Sequence, residues 1–129
     1  MKKLLPVLVL ILLAMACLAG CSKYTSKYSA LLLVTNSTSK TGSIRFTNFT
    51  GTKVFKLKSS GQLNYSAELT GGNATVYYDS NGTKTQLFSI TSGQSIGPAS
   101  IPVTPGTVYV IVQTDGKCEN GQFSFDVKQ

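Results

Sequence analysis

The sequence predicts an all-β domain, an antiparallel, jelly-roll-like sandwich of about eight or nine short strands, following an N-terminal signal helix. Three observations carry that prediction. Apolar and polar residues alternate at period two through most of residues 42–129, as half-buried strands require. Clusters of Ser, Asn, Asp and Gly punctuate the alternation at roughly 8–12-residue intervals. After the leader, no segment has the three-to-four-residue apolar spacing of a helix.

Taken in order, Leu31-Leu32-Leu33-Val34 has strand character within an otherwise Ser/Thr/Lys-rich stretch. Ile44 and Phe46 then alternate with Arg45 and Thr47, and Phe55 and Leu57 with Lys56 and Lys58. Leu63, Tyr65, Ala67 and Leu69 share one face, opposite Asn64, Ser66 and Glu68. Asn81-Gly82 supplies two positive-φ positions for a tight hairpin joining residues 74–78 to 85–90. Pro98, Pro102 and Pro105 make residues 97–106 an irregular crossing or an edge, because proline cannot donate to a ladder. Residues 107–114 carry Val108, Val110 and Val112 on one face and Tyr109 and Ile111 on the other, the pattern of a central strand. Phe123, Phe125 and Val127 give the last strand its buried face. Strands with one apolar face each must pair those faces, and two packed sheets do so most economically.

The leader is a different kind of segment. Lys2 and Lys3 open it, residues 4–13 are apolar apart from Pro6, and small residues lead to Cys21. That is the three-part pattern of a secretory signal, or of a signal cut near Ala19 with Cys21 incidental. Its apolar stretch falls short of the roughly 20 residues of a spanning helix. Leu18-Ala19-Gly20-Cys21 resembles the lipobox of bacterial lipoproteins. The resemblance implies cleavage between Gly20 and Cys21, diacylglycerol on the Cys21 thiol, and anchoring on the extracytoplasmic face of the cell membrane, or on the outer membrane where the envelope has one. The expected division is then a signal peptide over 1–20, a lipid anchor and tether over 21–41, and a sandwich over 42–129. A second resemblance spans residues 61–128. Asn73-Ala-Thr-Val-Tyr-Tyr-Asp-Ser-Asn-Gly82, Pro105-Gly-Thr-Val-Tyr-Val-Ile-Val112 and Gly121-Gln-Phe-Ser-Phe-Asp-Val127 are similar to strands of the bacterial pre-peptidase C-terminal domain. Those modules are accessory domains, which implies a jelly-roll-like fold and no catalysis.

Charge and chemistry narrow the function further. The whole chain carries +7, and without Lys2 and Lys3 ten basic side chains face five acids. Seven of the ten precede the first acid, Glu68, so a positive half adjoins the expected anchor. Lys53, Lys56 and Lys58 are candidate contacts to an anionic surface, or solvated strand positions. Nucleic acid is not expected as a partner: the leader marks an exported chain, and no aromatic-and-basic recognition motif is present. The chain has no histidine, which rules out Ser–His and Cys–His nucleophiles and histidine metal ligands. The acids are dispersed, no phosphate-binding glycine loop occurs, and Asp79 with Asn81 makes a turn rather than a calcium site. No enzyme, cofactor or metal is expected. Cys118 is left without an intrachain partner and reads as an idle thiol in a polar loop. Tyr77, Phe88 and Tyr109 alternate away from the expected core and form a candidate aromatic platform for envelope glycan or polypeptide. The expectation is thus a membrane-anchored, non-catalytic binding module; the alternative is a structural lipoprotein that holds a protein partner at the membrane.

Overall fold

The computed structural model describes residues 24–127, all strand and turn, with no helix among them. The strands are β1 (Lys27–Leu31), β2 (Val34–Ser37), β3 (Thr41–Ser59), β4 (Gln62–Asp79), β5 (Thr85–Thr91), β6 (Gln94–Pro102) and β7 (Gly106–Val127). All pairings are antiparallel, in the order β1-β3-β7-β4-β5, with β2 also on β3 and β6 also on β4.

The strand count is seven because β3, β4 and β7 each serve twice. The β3–β7 register shifts between Phe49 and Thr52, and the β4–β7 register shifts between Gly71 and Asn73. At these bulges the sheet folds over, as bulges and strand glycines permit. Gly51 has φ 127, and a Cβ there would overlap the backbone of Lys27 and Tyr28, so β1 can close over the bend only because residue 51 is glycine. One half of each long strand forms layer I, in the order β2-β3-β7-β4-β6. The other half forms layer II, in the order β3-β7-β4-β5, and β1 pairs with residues 48–52 of β3, across the bend. The layers meet face to face: the Phe55 ring of layer II lies 5.9 Å from Phe125 of layer I, and Phe88 lies 6.5 Å from Phe123.

The period-two alternation sets what lies between the layers. Ile44, Phe46, Phe55, Leu57, Leu63, Ala67, Leu69, Val76, Ile90, Val108, Val110, Val112, Phe123 and Phe125 are all buried in one cluster. The valine-rich stretch belongs to β7, the central strand. The proline-bearing segment is β6, an edge strand.

Several expectations are corrected. The stretch read as a tether contains β1 and β2; their polar sequences pair with β3 because edge strands need little apolar surface of their own. The β4–β5 connection is no two-residue hairpin: Tyr78 pairs with Thr85, Gly82 alone has positive φ, and the Asp79 carboxylate organises the loop by accepting from Gly82 N–H at 2.7 Å. Cys118 is not in a loop. It lies in β7, fully buried, and its Sγ donates to the Asn73 carbonyl at 3.2 Å. Burial pushes the thiol above its ordinary value, opposed by the hydrogen bond to Asn73 and helped by Asp115. A thiol so placed is inert and out of reach of another chain.

Candidate functional site

Two surfaces of the sandwich are organised. On the outer side of layer I, exposed residues line up across five strands: Val34 opposite Arg45, Arg45 opposite Gln122, Gln122 opposite Glu68, and Glu68 opposite Ser95. Their strand neighbours Ile44, Phe46, Ala67, Leu69 and Phe123 point into the core, so alternation forces this row outward. Next to the row, the pairing on both flanks of β7 steps from Gly121 to Glu119 over Asn120, which has φ 45. An open groove of about 610 Å³ results, floored by Arg45, Gln122, Glu68, Thr47, Thr70 and Asn120, with Leu32 and Val34 as an apolar lip.

Leu32 sits in the β1–β2 turn with φ 50 and is 79% exposed. Leu32 and Asn120 are the two non-glycine residues with positive φ among the described residues, and both line this groove. Left-handed backbone comes easily to asparagine but costs leucine about 1–2 kcal/mol, and such outliers gather where function requires them. Chemically, the floor offers guanidinium and amide donors beside amide, hydroxyl and carboxylate acceptors. The sequence reading missed this site: Arg45, Glu68 and Gln122 are far apart in the chain, and each looks like any solvated strand position. Only the strand register joins them.

The second surface is the outer side of layer II. Lys56 stands opposite Tyr109, and Tyr109 opposite Asp79. Across this row lies the start of the described chain. The Tyr24 hydroxyl donates to Asp79 Oδ2 at 2.7 Å, and its ring meets Tyr109 edge-on at 5.4 Å. Ser26 Oγ accepts from Val54 N–H at 2.8 Å. Asp79 is 3% exposed. Burial, reinforced by the Asp79 hydrogen bond and charge, pushes the Tyr24 hydroxyl up to about 12 from an ordinary 10.0. A folded-state value above the unfolded one means the contact is complete below pH 10, and fades as pH rises from there through about 12. Ultraviolet titration is therefore expected to show a late-ionising component that is lost in Tyr24→Phe. An unchanged profile in that variant would contradict the Tyr24–Asp79 contact.

The residues expected to form sites are distributed as follows. Tyr77 and Tyr109 are half-buried on the outer side of layer II, and the Lys84 ammonium lies 4.3 Å from the Tyr77 ring centroid. Phe88 does not join them. It pairs with Val76, faces the core with Ile90, and stacks on Tyr65 at 5.4 Å, so the three-ring platform does not form. Lys56 and Lys58 share the outer side of layer II. Lys53, an odd number of positions away, takes the other side of β3, its ammonium 5.4 Å from the Phe55 ring and 5.7 Å from Tyr28. The three lysines are thus not one patch. Gly20 and Cys21 lie outside the described residues. Among those residues, no three acidic or cysteine side chains converge as a metal site would require.

No protein-family profile matches the chain, and no characterised relative matches it in sequence. Solved structures are similar in fold at low identity. A Neisseria meningitidis protein, NMB1881, is 10% identical with a TM-score of 0.39, over 78% of this chain and 87% of that one. A cupin domain from Bordetella pertussis is 9% identical with a TM-score of 0.37, over 78% and 98%. The GH26-CBM35 β-(1,4)-mannanase of Podospora anserina is 10% identical with a TM-score of 0.42, over 81% of this chain and 26% of that one. At these values the likeness assigns no ligand or activity to this chain.

Proposed function

We propose that this chain is a bacterial envelope lipoprotein, anchored through Cys21, whose β-sandwich is a non-catalytic binding module with its ligand seat in the Arg45–Gln122–Glu68 groove. One observation carries the choice of seat: both left-handed non-glycine residues, Leu32 and Asn120, converge on a groove floored by a cross-strand polar row. Backbone shaped to hold a cleft open beside directed donors and acceptors suits an extended chain rich in hydroxyl or amide groups, an envelope glycan or a polypeptide. The alternative of a structural lipoprotein would be favoured by a long, flat, apolar edge available for strand addition. The edges are short or interrupted: β2 has four residues, β1 five and β5 seven, and the nine-residue β6 contains Pro98 and Pro102.

The test is a crosslinking pull-down from intact cells with the wild type and with Arg45→Ala/Glu68→Ala. Both positions are exposed, so folding should change by no more than about 0.5 kcal/mol per site, while the captured ligand should be lost. Undiminished capture would move the ligand elsewhere. Intact-mass measurement on the membrane fraction should give a mature chain starting at Cys21 with two or more acyl chains, since one chain binds only marginally. Any other N-terminus would remove the anchor from the proposal.

A further inference from the structure

We propose, on the reading of Cys21 as the lipid-bearing residue, that the outer side of layer II carrying Lys56, Lys58 and Lys84 docks on an anionic bilayer, with the Arg45–Gln122–Glu68 groove facing away from it. The position of Tyr24, close in sequence to Cys21, decides which side meets the membrane. Tyr24 is held over layer II by its hydroxyl on Asp79 and its ring on Tyr109, and Ser26 is held by Val54 N–H. Cys21 is three positions before Tyr24. Three extended residues reach about 11 Å at most. That is close to the Debye length of about 10 Å at 0.1 M salt, so charges around Tyr24 stay within electrostatic range of the headgroups.

The exposed charges near that position are basic. Lys56 and Lys58 are exposed, and Lys84, also exposed, lies against the Tyr77 ring on the same side of the layer. Of the two acids on this side, Asp79 is buried and accepts from both Tyr24 and Gly82. Asp115, which is exposed, shares the outward side of β7 with Tyr109 but is six positions along it, about 20 Å in extended chain. Glu68 and Asp126 project from layer I, and Glu119 pairs with Lys117 near the bend. A surface whose exposed charges near the emerging anchor are basic complements an anionic leaflet. Because the groove lies on the opposite layer, docking of this kind presents it outward.

The chain has no tryptophan, so a single introduced one is a unique reporter. Thr107→Trp places it beside Lys58 without removing a lysine, and Gln122→Trp places it in the groove. The mature chain, Cys21–Gln129, would be joined through its Cys21 thiol to maleimide-bearing lipid; Cys118 is buried and unreactive. Vesicles of phosphatidylcholine, with or without phosphatidylglycerol, would carry a nitroxide headgroup quencher. On anionic vesicles the reporter at 107 should be quenched and the one at 122 spared. The difference should collapse at 1 M salt, where the Debye length is about 3 Å, and after Lys56→Gln/Lys58→Gln/Lys84→Gln. It should also shrink in Tyr24→Phe, which keeps the ring but loses the hydrogen bond. Equal quenching at the two positions, stronger quenching at 122, or indifference to lipid charge would overturn the proposal. The chemical link makes this outcome independent of lipidation in the cell, so failure of the anchor reading in the mass measurement is a separate result.

Discussion

Phe123→Ala is expected to destabilise the domain by about 3–5 kcal/mol, the usual cost of emptying a fully buried phenylalanine site. Phe123 has no exposed surface and sits at the centre of a relay of rings that crosses the molecule. Tyr28 stacks on Phe49, Phe49 packs on Phe46, and Phe46 stacks on Phe123. Phe123 stacks on Phe88, and Phe88 on Tyr65. The relay includes β1, β3, β7, β5 and β4, and its Phe123–Phe88 step joins layer I to layer II. Truncating that ring removes contacts on both sides at once, and the rigid sheets on either side leave little room for collapse. A domain of this size holds about 5–15 kcal/mol in total, so the loss is a large fraction of the whole. Urea unfolding should show a lower midpoint at an unchanged slope. A loss below about 0.5 kcal/mol would mean that the last strand does not pack as described.

The faces of most strands are legible in the sequence because alternation is a local property. Arg45 is polar between two apolar neighbours, and that is enough to place Ile44 and Phe46 inside. The same reasoning fails where both sides of a strand are covered. Phe88 and Leu87 are both apolar, and their order could be decided only by the partner: Val76, facing the core, sits opposite Phe88. Ile111 is 2% exposed on the side of β7 away from the core, between Val54 and Tyr77. Alternation alone gives no reason for that burial. The bends were hidden for a related reason. Glycine inside a polar stretch looks the same whether the chain reverses or continues into the other layer, so Gly71-Gly72 and Asp115-Gly116-Lys117 have the composition of loops. Taken as loops, they cut β4 and β7 in two and place Cys118 outside a strand. The groove depends on register across β3, β7 and β4, which no local pattern encodes. The Tyr24 contact to Asp79 spans 55 residues and was equally invisible.

Gly72→Ala is the substitution expected to act on a bend directly, with a loss of about 2–6 kcal/mol, from roughly 1–3 for backbone strain and a similar amount for overpacking. Gly72 has φ 98, a region that side chains rarely adopt. A Cβ at this position would lie 2.7 Å from the Lys117 carbonyl oxygen and 2.9 Å from both Cα and Sγ of Cys118. Two of those three atoms are backbone of the central strand, so no side-chain rotation relieves the overlap. The Gly72 N–H and carbonyl are also fixed, bonded to Ser92 Oγ at 2.9 and 3.2 Å, which prevents β4 from backing away. Gly82→Ala is the matched control. Its φ is 97, almost the same, yet a Cβ there meets no described atom within 4 Å. The control should therefore show strain alone, and the difference between the two variants measures the close approach of β4 to β7. Cys118→Ala in the Gly72→Ala background should recover little, because the Lys117 oxygen and the Cys118 Cα remain. Equal losses at positions 72 and 82 in urea unfolding would show that the two strands do not touch at the bend. Full recovery by Cys118→Ala would put the conflict in the thiol rather than in the backbone.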